Sequence, residues 1–368
     1  MNIYILDPDS LNRVAILNNY SAREWNRTWG ESGVFTLWAP ITDENEAFLE
    51  REYLVWPDNQ NLIGVIEYIH KYTDEDSGLP LCEISGRFME SSYLSRRIIW
   101  GNALIKNSPK VVIQSIIQDN ALQASDPDRR LASFINTGVE FSDRIPGQAR
   151  ITYCDSYGNL WEEAKDLSLK YGINLEFRHL PQQKKVQCYL QFGRDLSAVV
   201  NLSTDLGFLT GSDYSWDSRD YCNVALVAGE GEGSDRTITT IIPSSAKNLN
   251  RRELYVDARD LQRDMDEQTI SEEEYLGALT ERGQKKLLKY PMYESYECSL
   301  QLTGQEGFIF GEDYSFGDIV TLTDRKLNIQ VQARVKEHQL SEDKEGQTDI
   351  LVFGLSTPTI TSLIKRRN

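Results

Sequence analysis

The sequence predicts a mainly β protein interrupted by a small α+β region and a helical stretch. Three observations lead there: short alternating apolar segments cut by turn residues toward both ends of the chain, helical spacing after Pro109 and Asn159, and a capping signal at Ser271. With 368 residues, 40% hydrophobic and 10% aromatic, the chain exceeds one ordinary core. It has enough apolar surface to fold throughout, as roughly two to four domains.

Residues 1–105 read as short strands at the spacing of a barrel or sandwich. An alternating run from Asn2 stops at Asp7-Pro8, one from Val14 stops at Asn18-Asn19, and one from Gly33 ends at Pro40. Residues 43–51 alone look helical here. Residues 62–72 and 79–88 read as two longer strands flanking a polar hairpin connection at 73–78.

The character changes after Gly101. Asn107-Ser108-Pro109 offers a cap and a proline for the first turn, and Val112, Ile113, Ile116, Ile117 and Ala121 follow on one helical face. This predicts a helix of about fourteen residues. A second helix, 159–171, aligns Leu160, Ala164, Leu167 and Tyr171, with Gly172 where a left-handed C-cap belongs. Strands 173–179 and 186–192 then form a hairpin, so 106–205 reads as an α+β domain.

Strands 223–228 and 237–242 bracket a hairpin tip carrying Gly229, Gly231 and Gly233. Ser271-Glu272-Glu273-Glu274 is a capping box that opens a helix ending before Pro291. Strands at 319–323, 329–339 and 349–353 close the chain. They follow Gly311-Glu312-Asp313-Tyr314-Ser315-Phe316-Gly317-Asp318, whose glycines permit turn conformations and whose aspartates bond their own backbone. That run makes a barrel corner, not a catalytic loop.

Fifty-six acidic against 39 basic residues, a formal charge of −17, exclude a phosphate-gripping surface. A negative wall that DNA passes without sticking is compatible with it. Cys82, Cys154, Cys188, Cys222 and Cys298 are scattered and odd in number, so free, mostly buried thiols are expected, with neither disulfide nor metal knuckle. The N-terminus lacks a secretory signal and no apolar run spans a membrane, which predicts synthesis and retention in a cytoplasm.

Candidate chemistry is sparse. The glutamates between Gly229 and Gly233 would repel phosphate, and a strand follows where a phosphate loop needs a helix. The acidic groups Asp7/Asp9, Asp74/Asp76 and Asp126/Asp128 read as turns, since the glutamate that closes a calcium loop is missing. His70, His179 and His338 fall in strands without a matched nucleophile. Catalytic, metal and cofactor-binding residues are therefore each expected to be none, and the chain is not expected to be an enzyme. Trp25, Trp29, Phe35 and Trp38 are expected in the core rather than on a sugar platform. Arg96-Arg97 and Arg251-Arg252 are either local solvated pairs or partners of carboxylates across subunits.

Five segments, in this order, resemble the hub proteins at the tail tip of long-tailed, non-contractile phages, relatives of contractile-tail baseplate hubs and VgrG spikes. They are Tyr20-Ser21-Ala22-Arg23-Glu24-Trp25-Asn26-Arg27 leading to Gly33-Val34-Phe35-Thr36-Leu37; Leu94-Ser95-Arg96-Arg97-Ile98-Ile99; Val227-Ala228-Gly229-Glu230-Gly231-Glu232-Gly233; Arg252-Glu253-Leu254-Tyr255-Val256-Asp257; and Asp313-Tyr314-Ser315-Phe316-Gly317-Asp318-Ile319-Val320.

The resemblance implies two tube-type antiparallel β-barrel domains that continue a tail tube's pseudo-sixfold symmetry in a threefold ring. The first is expected at 1–105 and the second at 206–245 plus 294–368, with the α+β domain at 106–205 and a helical insertion at 246–293. It implies a homotrimer that meets tail-tube or distal-tail proteins and other tip proteins, with DNA and tape measure only in passage. The location it implies is the virion, after assembly in a bacterial cytoplasm. Many relatives continue into a wall-cutting or receptor-binding extension, whereas this sequence stops at Lys365-Arg366-Arg367-Asn368. A structural hub is expected; the alternatives are a carbohydrate-binding adhesin module and a cell-wall hydrolase.

Overall fold

Strand alternation sorts the side chains of the N-terminal third. The strand Val34–Pro40 turns Phe35, Leu37 and Ala39 inward, and Pro80–Arg87 does the same with Cys82 and Ile84. The computed structural model describes residues 2–75, 78–141, 150–204, 209–243, 245–265, 268–300 and 307–354. The parts of the expected domains at 206–208, 301–306 and 355–368 lie outside the described residues, as does Asp76.

Both strands belong to a ten-stranded sheet built from the two ends of the chain. Its order is Leu209–Asp217, Tyr293–Leu300, Gln347–Gly354, Ile329–Glu342, Ala22–Thr28, Val34–Pro40, Pro80–Arg87 and Tyr68–Thr73. Ile319–Asp324 branches from Ile329–Glu342 and carries the parallel strand Asn201–Ser203. The fourteen-residue strand Ile329–Glu342 does double duty. Its first half pairs with Ile319–Asp324, and its second half pairs with Ala22–Thr28, from Glu337 opposite Thr28 to Glu342 opposite Arg23.

A four-stranded sheet, in the order Arg13–Leu17, Ile3–Leu6, Leu54–Pro57, Gly64–Val65, packs against the N-terminal part of the large sheet. Ile3, Ile5, Leu17, Trp25, Phe35, Leu37, Val55 and Ile84 form the core between them. The strand expected at 62–72 is split. Ile66 N still donates to Tyr53 O in the small sheet (2.9 Å), while Glu67 N donates to Ser85 O in the large one (3.0 Å). The chain changes sheets where Gly64 lies under the Phe35 ring; a Cβ there would stand 2.3 Å from it. The helix expected at 43–51 is only a 3₁₀ turn, Glu46–Phe48. Buried Asn45 competes with helical bonding: its Oδ1 accepts from Thr42 N (2.9 Å) and its Nδ2 donates to Pro40 O (3.0 Å).

In the middle region the helix Pro109–Ile117 continues as a π-helical turn, Gln118–Leu122, and with the helix Leu160–Tyr171 it covers a three-stranded sheet. The sheet order is Ile135–Phe141, Lys185–Phe192, Ile173–Leu180. Ser108 precedes the first of these helices without a side-chain cap bond, whereas the second is capped as expected: Asn159 Oδ1 accepts from Trp161 N and Glu162 N, and Gly172 adopts φ 67°.

Val224–Ala228 pairs with Ile238–Ile241 as the expected hairpin and, in parallel, with Glu253–Asp257. The helix Glu272–Leu287, opened by the expected capping box, lays Tyr275, Ala278 and Leu279 on Ala225, Val227 and Val256 of this sheet. The hairpin therefore sits with the segment 246–293 and outside the ten-stranded sheet, because the apolar face of the helix needs a sheet to cover. Tyr275 ties the layers, donating to Leu261 O (2.8 Å) and accepting from Glu230 N (2.7 Å). We expect Tyr275→Phe, which strands both backbone groups, to cost about 1–3 kcal/mol in chemical denaturation; an unchanged midpoint would contradict that role.

Candidate assembly site

The turn before Ile319–Asp324 is where the two ends of the chain meet. Gly317 has φ 91°, and a Cβ on it would fall 1.7 Å from the Trp29 ring. Glycine is therefore required twice over, by conformation and by contact. Trp29 is held by its own backbone as well, its N donating to Lys336 O (2.8 Å) and its O accepting from Lys336 Nζ (2.5 Å). Arg334 lies over the same indole, 5.2 Å from its centroid.

Asp318 is buried and takes several donors. Its Oδ1 accepts from Arg194 N (2.7 Å), and its Oδ2 accepts from Arg194 Nη2 (2.6 Å), Arg194 Nε (3.0 Å) and Ser315 N (3.0 Å). The aspartate thus closes its own turn, as the sequence suggests, and also clamps a distant arginine through charge-assisted bonds. Asp318 pushes Arg194 above its ordinary pKa, chiefly through the hydrogen bonds that Arg194 donates to it.

A second polar cluster, centred on buried Glu176 and Asn174, joins the large sheet to the middle region. Glu176 Oε1 accepts from Arg27 Nη2 (2.6 Å) and Asn174 Nδ2 (3.1 Å), and its Oε2 accepts from Arg178 Nε (3.1 Å). Asn174 Oδ1 accepts from Gly30 N (2.7 Å), and Arg27 lies over Phe316 at 4.3 Å. Burial alone would raise the Glu176 carboxyl, but the two guanidiniums outweigh it and hold it low. Glu90, in the short helix Met89–Leu94, has the opposite fate. Burial pushes it up to about 8 and neighbouring Glu176 adds to the rise, so it stands neutral at pH 7, accepting from Phe177 N (3.4 Å).

The residues singled out in the sequence do not converge. Arg96 pairs within the chain with Glu52 (2.6 Å), and Arg251 with Glu253 (2.5 Å). Arg97 donates to Arg129 O (2.7 Å), and Arg252 donates to Ser218 O. Trp25, Trp29 and Phe35 are buried as expected, whereas Trp38 points to the other face of its strand and is half-buried.

All three histidines lie in strands. His70 stacks on Tyr72, and His179 packs edge-on against Trp56, its pKa lowered to about 4 by burial. His338 Nε2 bonds Asp349 Oδ1 across the ladder at 2.6 Å. Arg236 holds the Gly229 hairpin by donating to Gly229 O and Ala228 O, both at 2.9 Å. Asp7 and Asp126 accept from backbone N–H groups two residues on, as turns. The five cysteines are free, four of them buried. Among the described residues no three His, Cys, Asp or Glu gather as metal ligands, and no helix is long and apolar enough to cross a membrane. Sequence reading missed Glu90, Glu176, Arg27 and Arg194, each of which has a partner between 87 and 149 residues away.

A mainly β chain whose ends share one sheet, with an α+β layer between, has the fold of phage tail proteins. It matches the 43 kDa tail protein of prophage MuSo2 from Shewanella oneidensis (TM-score 0.58, 13% identity, 96% of this chain and 98% of that one). The tail protein from Neisseria meningitidis MC58 (0.55, 14%, 98% and 98%) and prophage tail protein gp18 from Listeria monocytogenes EGD-e (0.53, 12%, 100% and 98%) match similarly. The chain belongs to the Siphovirus ReqiPepy6 Gp37-like family, whose model matches residues 2–355. The resemblance to tail proteins of long-tailed phages is borne out. No curated protein matches the chain.

Two outcomes follow from this geometry. Gly317→Ala should lower stability by about 2 kcal/mol or more, because left-handed strain and the Trp29 clash add; a shift within error would show that the turn relaxes freely. Glu90 is protonated more tightly when folded, so its contribution is complete below its ordinary pKa of 4.5 and is lost as pH rises through about 8. Glu90→Gln should therefore flatten the fall in thermal midpoint between about pH 5 and 9; an unchanged profile would remove Glu90 as the cause.

Proposed function

We propose that the chain is a structural hub of the phage tail tip, assembling as a threefold ring that closes or extends the tail tube, anchors neighbouring tip proteins and gives DNA a negatively charged passage. The observation that carries this reading is the ten-stranded sheet, because strands from both ends of one chain build a single sheet whose main path ends in a strand edge at each side. A strand edge is a template for another chain. Tyr68–Thr73 forms one edge and Leu209–Asp217 the other, so pairing one copy's first edge with the next copy's second is a heterologous contact of the kind that closes rings. Exposed Tyr68 at one edge and exposed Tyr214 and Trp216 at the other supply apolar area for such a junction. The excess of carboxylates, 56 against 39 basic residues, suits a lumen that repels DNA phosphates and opposes spontaneous closure at low salt.

Light scattering with negative-stain imaging tests the proposal. A trimer with an axial hole, favoured as ionic strength rises, is the expected outcome, and Trp216→Lys should leave folded monomers. A chain that stays monomeric at all salt concentrations, even when mixed with tail tubes, would reject the ring.

A further inference from the structure

A concave groove of about 510 Å³, away from the assembly seam, is lined by Trp100, Ile105, Asp119, Gln123, Ser125 and Arg129. Its most unusual member is Trp100, whose side chain is 68% exposed although the chain is pinned beneath it. Trp100 N donates to Oδ1 of buried Asn120 (2.8 Å), whose Nδ2 donates to Ile116 O (2.9 Å). The following residue, Gly101, turns with φ 87°. Arg129 packs against the indole at 4.9 Å while its Nη2 donates to Ile98 O (2.7 Å), so the cation is itself fixed. The ring is therefore held outward by bonds on its backbone and by a tethered guanidinium on its side chain.

A second exposed aromatic, Tyr157, lies at the same end of the two-stranded antiparallel sheet formed by Asn102–Asn107 and Ile151–Ser156. It is 61% exposed with φ 58°, and the pairings Ser156–Asn102 and Ile98–Asn159 bracket both residues. Asp119 stands on the groove wall, its carboxyl without a hydrogen-bond donor among the described residues; Gln123 and Ser125 stand exposed on the same lining.

We infer that this groove is a binding site for a neutral oligosaccharide, with Trp100 as the stacking platform and Asp119 as acceptor of sugar hydroxyls. A hexopyranose presents an apolar C–H face and a rim of hydroxyls. That combination fits an amphipathic ring beside a free carboxylate acceptor and a hydroxyl. The concave shape and volume are those of small-ligand sites rather than of a flat protein contact. The unpaired carboxylate and the chain's charge of −17 weigh against anionic sugars, although Arg129 lines the same groove. The inference stands apart from the ring proposal, and its failure would leave that proposal untouched.

Calorimetry on the full chain with cellotetraose, maltotetraose and chitotetraose, and with tetragalacturonate as anionic control, tests it. At least one neutral probe should bind with Kd in the range of ~10 μM to 1 mM, and the anionic control should not. Trp100→Ala, at an exposed position, should weaken binding at least ~10-fold with an unchanged thermal midpoint, and Asp119→Asn by about 3- to 10-fold. Absence of binding by all three neutral probes, or binding indifferent to Trp100→Ala, would overturn the site. Loss of ring formation in Trp100→Ala with no sugar bound would also overturn it, marking the patch as a protein contact.

Discussion

The contact of Trp29 with Gly317 organises the structure, because it locks the strand Ala22–Thr28 to the turn that launches Ile319–Asp324. Beside it, the strand Ile329–Glu342 offers one ladder to each end of the chain. Neither half of the large sheet is complete alone. The N-terminal strands would end in an unpaired edge at Ala22–Thr28, and residues 337–342 of the C-terminal strands would keep Gln347–Gly354 on one side and lose their partner on the other. Backbone pairing does the joining; the glycine allows the aromatic ring to approach closely enough for the registers to meet.

Polar groups fix the middle region to this seam. Glu176 is buried with two arginines and an asparagine around it, and the clustering matters more than any single bond. A buried ion pair recovers more of its desolvation cost when further donors reach the carboxylate, and here Asn174 adds one to Glu176 and is itself held by the backbone N–H of Gly30. Glu90 is the exception: it has too few donors to stay charged, so it takes up a proton instead. Adjacent carboxyls thus adopt opposite states because two guanidiniums hydrogen-bond Glu176, while Glu90 feels Arg27 only at a distance.

Local signals were legible in the sequence. Asn159, Gly172 and Ser271 place their helix ends because caps act within a few residues, and the Gly229 hairpin is read from its glycines and flanking β-branched strands. The turn at Asp318 was legible for the same reason, but its grip on Arg194 was not, since 124 residues separate them. The break in the strand expected at 62–72 was hidden because alternation continues through a corner; only the ring of Phe35 over Gly64 shows where the chain changes sheets. Residues 43–51 misled through spacing alone, as Asn45 diverts the backbone bonds that a helix would need. The exposed Trp100 groove had no sequence signal, for exposure of an aromatic depends on what fails to pack over it.

The shared strand also sets a timetable for synthesis. Arg23 meets Glu342 across a separation of 319 residues, so an early-made strand waits until that whole stretch has been synthesised. Loop closure on that scale is slow, and an uncovered edge invites pairing with a neighbouring nascent chain. Arg23 is itself a safeguard during the wait. Its charge sits on that open edge until Glu342 arrives, discouraging a stranger from docking, and becomes buried at 2% exposure only when the correct partner closes the sheet.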